Sequence, residues 1–407
     1  MLKKITDLDL ASKTVLLRTD YNVPIKGRSI DKNSSWRIRA TLKTINYLED
    51  QRAKMIILCH LGRPEGKIVP ELSIKPVAQF LAKTLRRKLI IYNDKAPLFD
   101  PSLEPITHKL YFLPRNRKSS LAAMQLGDIL MLENVRFHPG EQVPDDKFAN
   151  QLSKLGEVFV NEAFATSHRK DASIALLPKI LPSAAGFLLQ KEIKTLNKIK
   201  KGAKKPLVLI MGGAKAKTKT ELILTLLPKV DEVLVGGVLA NTILAAQGIA
   251  VGKSIIDKET AELINGLEIT NTKLHLPVDV IASPTKDGKS PVKIRPAGNV
   301  GKENMILDIG PDTIILFRAI IEKAKTIIWN GPMGYTEVKK FKHGTDLILK
   351  AIIKNKAAHK VVGGGESIAL VHQHRVFNKI NFVSTGGGSL LKFLAGEKLP
   401  GIEALRK

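Results

Sequence analysis

The chain has 407 residues, a length that suits two or three domains. Apolar residues make up 44% and charged residues 25%, which excludes wholesale disorder, a collagen-like repeat and a disulfide scaffold. Lys and Arg number 65 against 38 Asp and Glu, so the net charge of +27 invites a polyanionic partner without choosing among nucleic acid, a membrane surface and a phosphorylated substrate.

The charged N-terminus lacks the apolar stretch of a signal peptide, and no run approaches the ~18 apolar residues of a membrane span. Short apolar runs at 14–19, 55–59, 129–132 and 158–160 read as buried strands. The pattern returns at 207–211, 233–235, 278–282, 326–329, 361–362 and 381–383. Helical periodicity fills the intervals, as at 37–49, 74–85, 220–227, 311–323 and 346–354. Strands apolar on both sides and separated by helices predict an α/β fold of parallel sheets covered on both faces. Residues 184–205 begin as a helix and end in a lysine-rich stretch, which marks a boundary. Aromatics are 5% of the chain and none interleaves those lysines, so the stretch reads as a solvated helix face, not a nucleic-acid platform. The single cysteine, Cys59, forbids an intrachain disulfide and suits a reducing compartment; cytoplasmic location is expected. Cys59 reads as a buried strand thiol, because neighbouring His60 would point to the opposite face.

In open parallel sheets, ligands bind where strands end and helices begin. Arg18, Asp20 and Asn22 follow the first strand, His60 and Arg63 the second, Arg136 the third and Arg169 the fourth, while Arg37 opens the first helix. Guanidinium forks match carboxylate and phosphate oxygens in pairs, so this set predicts a pocket for a small, multiply charged anion. The second half carries glycine instead, at Gly212-Gly213, Gly236-Gly237, 330–334, 363–365 and 386–388, with Lys215 and Lys219 nearby. Glycine lets backbone amides approach a phosphate closely, and the following helix points its positive end at it, which predicts a nucleotide site. There is no G-x-x-x-x-G-K-[ST] and no G-x-G-x-x-G after a strand, which excludes a P-loop and weakens a dinucleotide reading.

These segments resemble phosphoglycerate kinases along essentially the whole chain. The matches are RTDYNVP at 18–24, HLGRP at 60–64, LENVRFHPGE at 132–141, VNEAFATSHR at 160–169, GGAK at 212–215, DIGP at 308–311, NGPMG at 330–334, GGGES at 363–367 and STGGG at 384–388. The resemblance implies two Rossmann-like domains joined by a hinge helix, with reversible phosphoryl transfer between 1,3-bisphosphoglycerate and ADP giving 3-phosphoglycerate and ATP, with Mg²⁺. It implies a 3-phosphoglycerate domain over 1–183, a hinge helix over 184–203, a nucleotide domain over 204–390, and a terminal segment over 391–407 packing back on the first domain. It implies a monomer with small-molecule substrates, neither a membrane protein nor primarily a nucleic-acid binder. By motif, Asp20, Asn22, Arg37, His60, Arg63, Arg136 and Arg169 are expected at 3-phosphoglycerate. Arg37 and Lys215 are expected at the transferring group. Gly213, Lys215, Lys219, Gly237, Asn330, Glu337, Gly363, Gly364, Gly365, Glu366, Ser367 and Gly387 are expected at the nucleotide, with Glu337 at the ribose and Glu366 at the metal.

The chemistry needs no general base, because in ATP consumption the nucleophile is already a carboxylate. Positioning and cationic stabilisation are the expected devices, with His60 and His168 as binding or packing groups. Hinge closure is expected to align the substrates and exclude water. The chain departs from the family's common residues at Asp171 (histidine), Val238 (glycine), Glu366-Ser367 (aspartate-threonine) and Glu162 (aspartate). Asp171 brings negative charge close to an anion site. A nucleic-acid-binding protein and an inactive homologue are the alternatives; the second is disfavoured by the presence of Arg37 and Lys215.

Overall fold

A computed structural model describes residues 2–92, 110–115, 124–214, 216–260, 264 and 272–406. The chain forms two compact units, Met1–Thr195 with Glu397–Lys407, and Leu196–Gly396. It passes from the first to the second within one helix, Phe187–Gly202. Its return falls after Gly396, beyond the expected boundary at 390, because the helix Gly388–Ala395 is continuous and belongs to the second unit.

The strands of the first unit, in chain order, are β1 (Thr14–Arg18), β2 (Ile25–Lys26), β3 (Ser29–Ile30), β4 (Lys54–Leu58), β5 (Ile90–Tyr92), β6 (Leu110–Leu113), β7 (Ile129–Leu132), β8 (Val158–Asn161) and β9 (Ser183–Ala185). Seven of them form a sheet in the order β5-β6-β7-β4-β1-β8-β9, and β2 pairs with β3 as a small hairpin. From β7 to β9 all neighbours are parallel. Val15 and Leu17 on one face of β1 and Leu16 on the other are all fully buried, as are Met55 and Ile57 on β4. Both faces are covered, which is why these strands read as continuous apolar runs.

The second unit carries β10 (Leu207–Met211), β11 (Glu232–Val235), β12 (Leu274–His275), β13 (Asp279–Ser283), β14 (Lys293–Pro296), β15 (Met305–Ile309), β16 (Thr326–Asn330), β17 (His359–Gly363) and β18 (Phe382–Val383). A parallel sheet has the order β12-β11-β10-β16-β17-β18. The chain builds outward from β10 in one direction and then from β16 in the other, so the strand order reverses between them, the position where such sheets form a ligand crevice.

Three expectations need correction. The run at 278–282 does not join the parallel sheet: β13 lies in a separate antiparallel sheet between β14 and β15. A short apolar run cannot declare the direction of its neighbours. The helix expected over 37–49 is two pieces, Trp36–Arg39 and Leu42–Asp50. Between them Thr41 donates its hydroxyl to the Ile38 carbonyl at 2.8 Å and meets the Tyr21 hydroxyl at 2.7 Å, a local competition with helical bonding. Residues 183–185 are the edge strand β9, and the inter-unit helix starts only at Phe187.

That helix start is fastened by Glu162. Its carboxylate accepts the backbone N–H groups of Leu188 and Leu189 at 3.1 and 2.9 Å and the hydroxyl of Thr44, while Thr44 Oγ1 accepts the N–H of Phe187 at 3.0 Å. A Cβ on Gly186 would fall 2.3 Å from Glu162 Cδ, so the glycine makes room for the longer acid. Burial nevertheless pushes the Glu162 carboxyl up to about 7. Cys59 is a free, buried thiol, pushed up to about 12 by burial. Among the described residues no helix is long and apolar enough to cross a membrane.

Candidate active site

In the first unit, β7, β4, β1 and β8 are neighbours, so the loops at their carboxyl ends lie side by side. These are the loops that carry Arg136, His60 and Arg63, Asp20 and Asn22, and Arg169. Asp20 accepts from Arg37 Nη1 at 2.9 Å through one oxygen and from the Asn22 N–H at 3.0 Å through the other. Asn22 Oδ1 accepts the Gly62 N–H at 3.0 Å, tying the β1 loop to the β4 loop. Arg136 donates from Nη1 to the Gly62 carbonyl at 2.9 Å and from Nη2 to Asp171 at 3.0 Å.

At the centre is His60, which is buried, with Nδ1 3.5 Å from Arg18 Nη2. Burial holds its pKa well below the usual imidazole value, and the charges of Arg136, Arg18, Arg169 and Arg37 add to that shift. Four guanidinium groups therefore bear on one neutral imidazole. Arg63 is exposed, one residue beyond Gly62, and Arg169 is half-buried.

Arg18, Glu141 and Ser173 form a support that the sequence reading did not assign. Arg18 is fully buried, donates from Nε to Ser173 Oγ at 2.7 Å, and lies 3.5 Å from Glu141. Glu141 in turn accepts both the N–H and the hydroxyl of Ser173, at 2.9 and 2.6 Å. Only Arg18 gave a signal in the sequence, as a cation at the end of the first strand.

In the second unit, the loops after β10, β11, β16 and β17 are glycine-rich because backbone lies on backbone. A Cβ on Gly212 would sit 1.9 Å from the Pro332 carbonyl oxygen, and one on Gly331 would sit 2.2 Å from the Gly212 oxygen. The Gly212 N–H donates to the Asn330 carbonyl at 3.1 Å and the Gly237 N–H to the Met333 carbonyl at 2.8 Å. Ser367 Oγ accepts the Gly331 N–H at 2.7 Å, and Asn330 Nδ2 reaches the Gly387 carbonyl at 3.4 Å. Ser367 and Asn330 thus hold the loops in place.

These loops line an open cleft bordered by Gly213, Gly237, Val238, Pro332, Glu337 and Glu366. Lys219 donates to the Gly212 carbonyl. Both Lys219 Nζ and a Glu366 oxygen come within about 3.3 Å of the space a Gly213 side chain would take. The helices Gly365–Gln373 and Gly388–Ala395 begin at the Gly363–Gly365 and Gly386–Gly388 loops. Lys215 lies outside the described residues. Asp308 backs the cleft, accepting the Gly344 and Ile309 N–H groups at 2.7 and 2.9 Å, and burial pushes its carboxyl up to about 7.

The family profile described as "Phosphoglycerate kinase" matches residues 5–397. The chain belongs to the phosphoglycerate kinase family. It is 41% identical to the phosphoglycerate kinase of Moorella thermoacetica over 405 residues, 98% of each chain. It is 39% identical to that of Aquifex aeolicus over 98% of this chain and 96% of the relative. Among solved structures, the phosphoglycerate kinase of Pyrococcus horikoshii OT3 matches with a TM-score of 0.80 at 31% identity, covering 99% of this chain and 98% of that one. The Coxiella burnetii structure matches with a TM-score of 0.76 at 35% identity, covering 100% and 99%. Phosphoglycerate kinases transfer a phosphoryl group reversibly between 1,3-bisphosphoglycerate and ADP, giving 3-phosphoglycerate and ATP, and the nucleotide and the glycerate are their small-molecule substrates.

Proposed function

We propose that the guanidinium cluster of the first unit holds 3-phosphoglycerate or 1,3-bisphosphoglycerate and that the glycine-lined cleft of the second unit holds ADP or ATP. The observation that carries this reading is that the neighbouring strands β7, β4, β1 and β8 bring the loops of Arg136, Arg63, Asp20 with its partner Arg37, and Arg169 side by side at one sheet end, tied by the Asn22–Gly62–Arg136 hydrogen bonds, an arrangement suited to an anion with several charged oxygens. Asp20 and Asn22 orient Arg37 and the Gly62 turn, and Arg63 reaches the substrate from its exposed position beside that turn. Gly213, Gly237, Gly363, Gly364, Gly365 and Gly387 present backbone to the nucleotide, with Asn330 and Ser367 fixing the loops and Glu337 at the ribose.

In the ATP-consuming direction, a carboxylate oxygen of 3-phosphoglycerate attacks the γ-phosphorus. The bond from that phosphorus to the bridging oxygen breaks, and ADP leaves with the electron pair. No proton is removed from the nucleophile, so a neutral His60 is no handicap; it serves as a hydrogen-bonding group. Arg37 and Lys215 stabilise the charge on the phosphoryl in flight, and Lys219 holds the nucleotide phosphates. Mg²⁺ fits here on limited terms. Among the described residues no cluster of three acidic, histidine or cysteine side chains could hold a metal, and Glu366 offers a single exposed carboxylate. That suits an ion that keeps several waters and is bound through one carboxylate and nucleotide phosphates, whose charge it neutralises.

We place the hinge in the inter-unit helix and read the protein as a cytoplasmic monomer. The test is ADP release from ATP in the presence of 3-phosphoglycerate and Mg²⁺. Release that depends on 3-phosphoglycerate supports the reading; release at the same rate without it would overturn it.

A further inference from the structure

The loops of the first unit are tied by one run of hydrogen bonds that ends on a carboxylate. Asn22 accepts from the Gly62 N–H at 3.0 Å, the Gly62 carbonyl accepts from Arg136 at 2.9 Å, and Arg136 donates to Asp171 at 3.0 Å. Those residues stand on the loops after β1, β4, β7 and β8, which are neighbouring strands. The Arg136 and Asp171 side chains are only 2% and 4% exposed. Asp171 is itself fixed, because its backbone carbonyl accepts the N–H groups of Ile174 and Ala175, each at 2.9 Å. Arg136 Nε is buried and makes no hydrogen bond, so Gly62 and Asp171 supply the hydrogen bonds that orient this guanidinium.

The charge inventory is equally informative. Arg18, Arg37, Arg136 and Arg169 all act on His60. Arg18 is offset by Glu141 and Arg37 by Asp20, at 3.5 and 2.9 Å. Asp171 offsets Arg136, and it stands two residues beyond Arg169. Three carboxylates thus temper four guanidinium groups, and their mutual repulsion is reduced at the cost of attraction for an anion.

We propose that Asp171 is a positioning residue of this anion site: it holds Arg136 in place, binds the β8 loop to the β7 loop, and lowers the site's affinity for its anion by cancelling one positive charge. The inference rests on the reading of the cluster as the glycerate site. Asp171 acts through Arg136 and not by touching the substrate.

Asp171→Asn separates orientation from charge, because an amide oxygen still accepts from Arg136 while the negative charge is gone. The KM for 3-phosphoglycerate and the Kd for inorganic sulfate, measured by calorimetry, should both fall roughly 3- to 10-fold, as for removal of one nearby like charge. The Kd for ADP should not move, and an unchanged near- and far-UV circular-dichroism spectrum verifies that both units are folded. Asp171→Ala removes the acceptor too, and its kcat should fall about 10-fold or more below that of the Asn variant, as a misplaced positioning group does. Sulfate affinity and KM unchanged in the Asn variant, with only a lower melting temperature, would overturn the proposal and leave Asp171 a structural partner. If the Asn variant does not fold, Asp171→Ser, with a smaller neutral acceptor, is read by the same criteria. Sulfate binding needs no turnover, so tighter sulfate in a protein that fails to use 3-phosphoglycerate would refute the glycerate reading while sustaining the charge effect.

Discussion

His60 shows how burial decides the role of a side chain. Its folded-state pKa lies well below 6.5, since desolvation and four guanidinium groups oppose its charge. The unfolded chain binds a proton at this histidine below pH ~6.5 while the folded chain does not, so stability from this group is full above that pH. It falls as the pH drops, by up to about 1.4 kcal/mol per unit. Glu162 and Asp308 act in the opposite sense, because folded carboxyls pushed up to about 7 keep protons that the unfolded chain releases from about pH 4 upward. The net slope is a difference, so the direct measurement is the NMR titration of the His60 ring. No titration step should occur between pH 8 and 5.5; a midpoint near 6.5 would place the ring in water. At Lys215, kcat should fall by roughly 10²-fold or more in Lys215→Ala with little change in ADP affinity, as for loss of a transition-state cation. Near-normal kcat would remove Lys215 from the catalytic set. For Glu366, Glu366→Gln should raise the Mg²⁺ concentration that gives half-maximal rate while Glu366→Asp stays active. If the Gln variant follows wild type across a magnesium titration, Glu366 only favours the positive end of its helix.

At the scale of elements, the inter-unit helix is the most exacting construction. Thr44 both accepts from the Phe187 N–H and donates to Glu162, and Glu162 closes the next two amides. Thr44→Val keeps the shape and removes the hydroxyl. It should lower the unfolding free energy by about 1–2 kcal/mol, the usual value of a lost helix cap; no loss by denaturant titration would mean that Glu162 suffices alone. Such an arrangement explains what the sequence could and could not tell. Runs such as 129–132 and 207–211 were legible because both faces of a central parallel strand are buried and every residue is apolar. Others were not: the edge strand β5 is three residues long, the edge strand β14 (Lys293–Pro296) is largely exposed and carries charge, and β6 (Leu110–Leu113), though apolar and buried, is a run of four residues that the sequence reading did not mark. The antiparallel partnership of β13 depends on β14 and β15, neither of which the sequence reading marked as a strand. In the anion site, Asp20 and Arg136 stood out as charges in strand-end loops and Arg37 as a cation opening the first helix. Glu141 and Ser173 did not, since their part is to satisfy a buried Arg18 that sequence alone counts among the strand-end cations.

Across the whole molecule, each unit has its own sheet, its own buried core and its own set of strand-end loops. Cationic side chains cluster at the loops of the first, while glycine loops border the cleft of the second. In the function proposed here, the arginines serve the glycerate and the glycine loops serve the nucleotide. The +27 net charge is not explained by it, because the cluster around His60 is largely offset by Asp20, Glu141 and Asp171. The division is tested most directly by calorimetric titration of 3-phosphoglycerate and, separately, of ADP into Arg37→Ala. Loss of a bidentate cation at the first site should weaken 3-phosphoglycerate by about 10-fold or more while ADP binds as in wild type. Unchanged 3-phosphoglycerate affinity, or an equal loss for both ligands, would contradict the assignment of the glycerate to the guanidinium cluster.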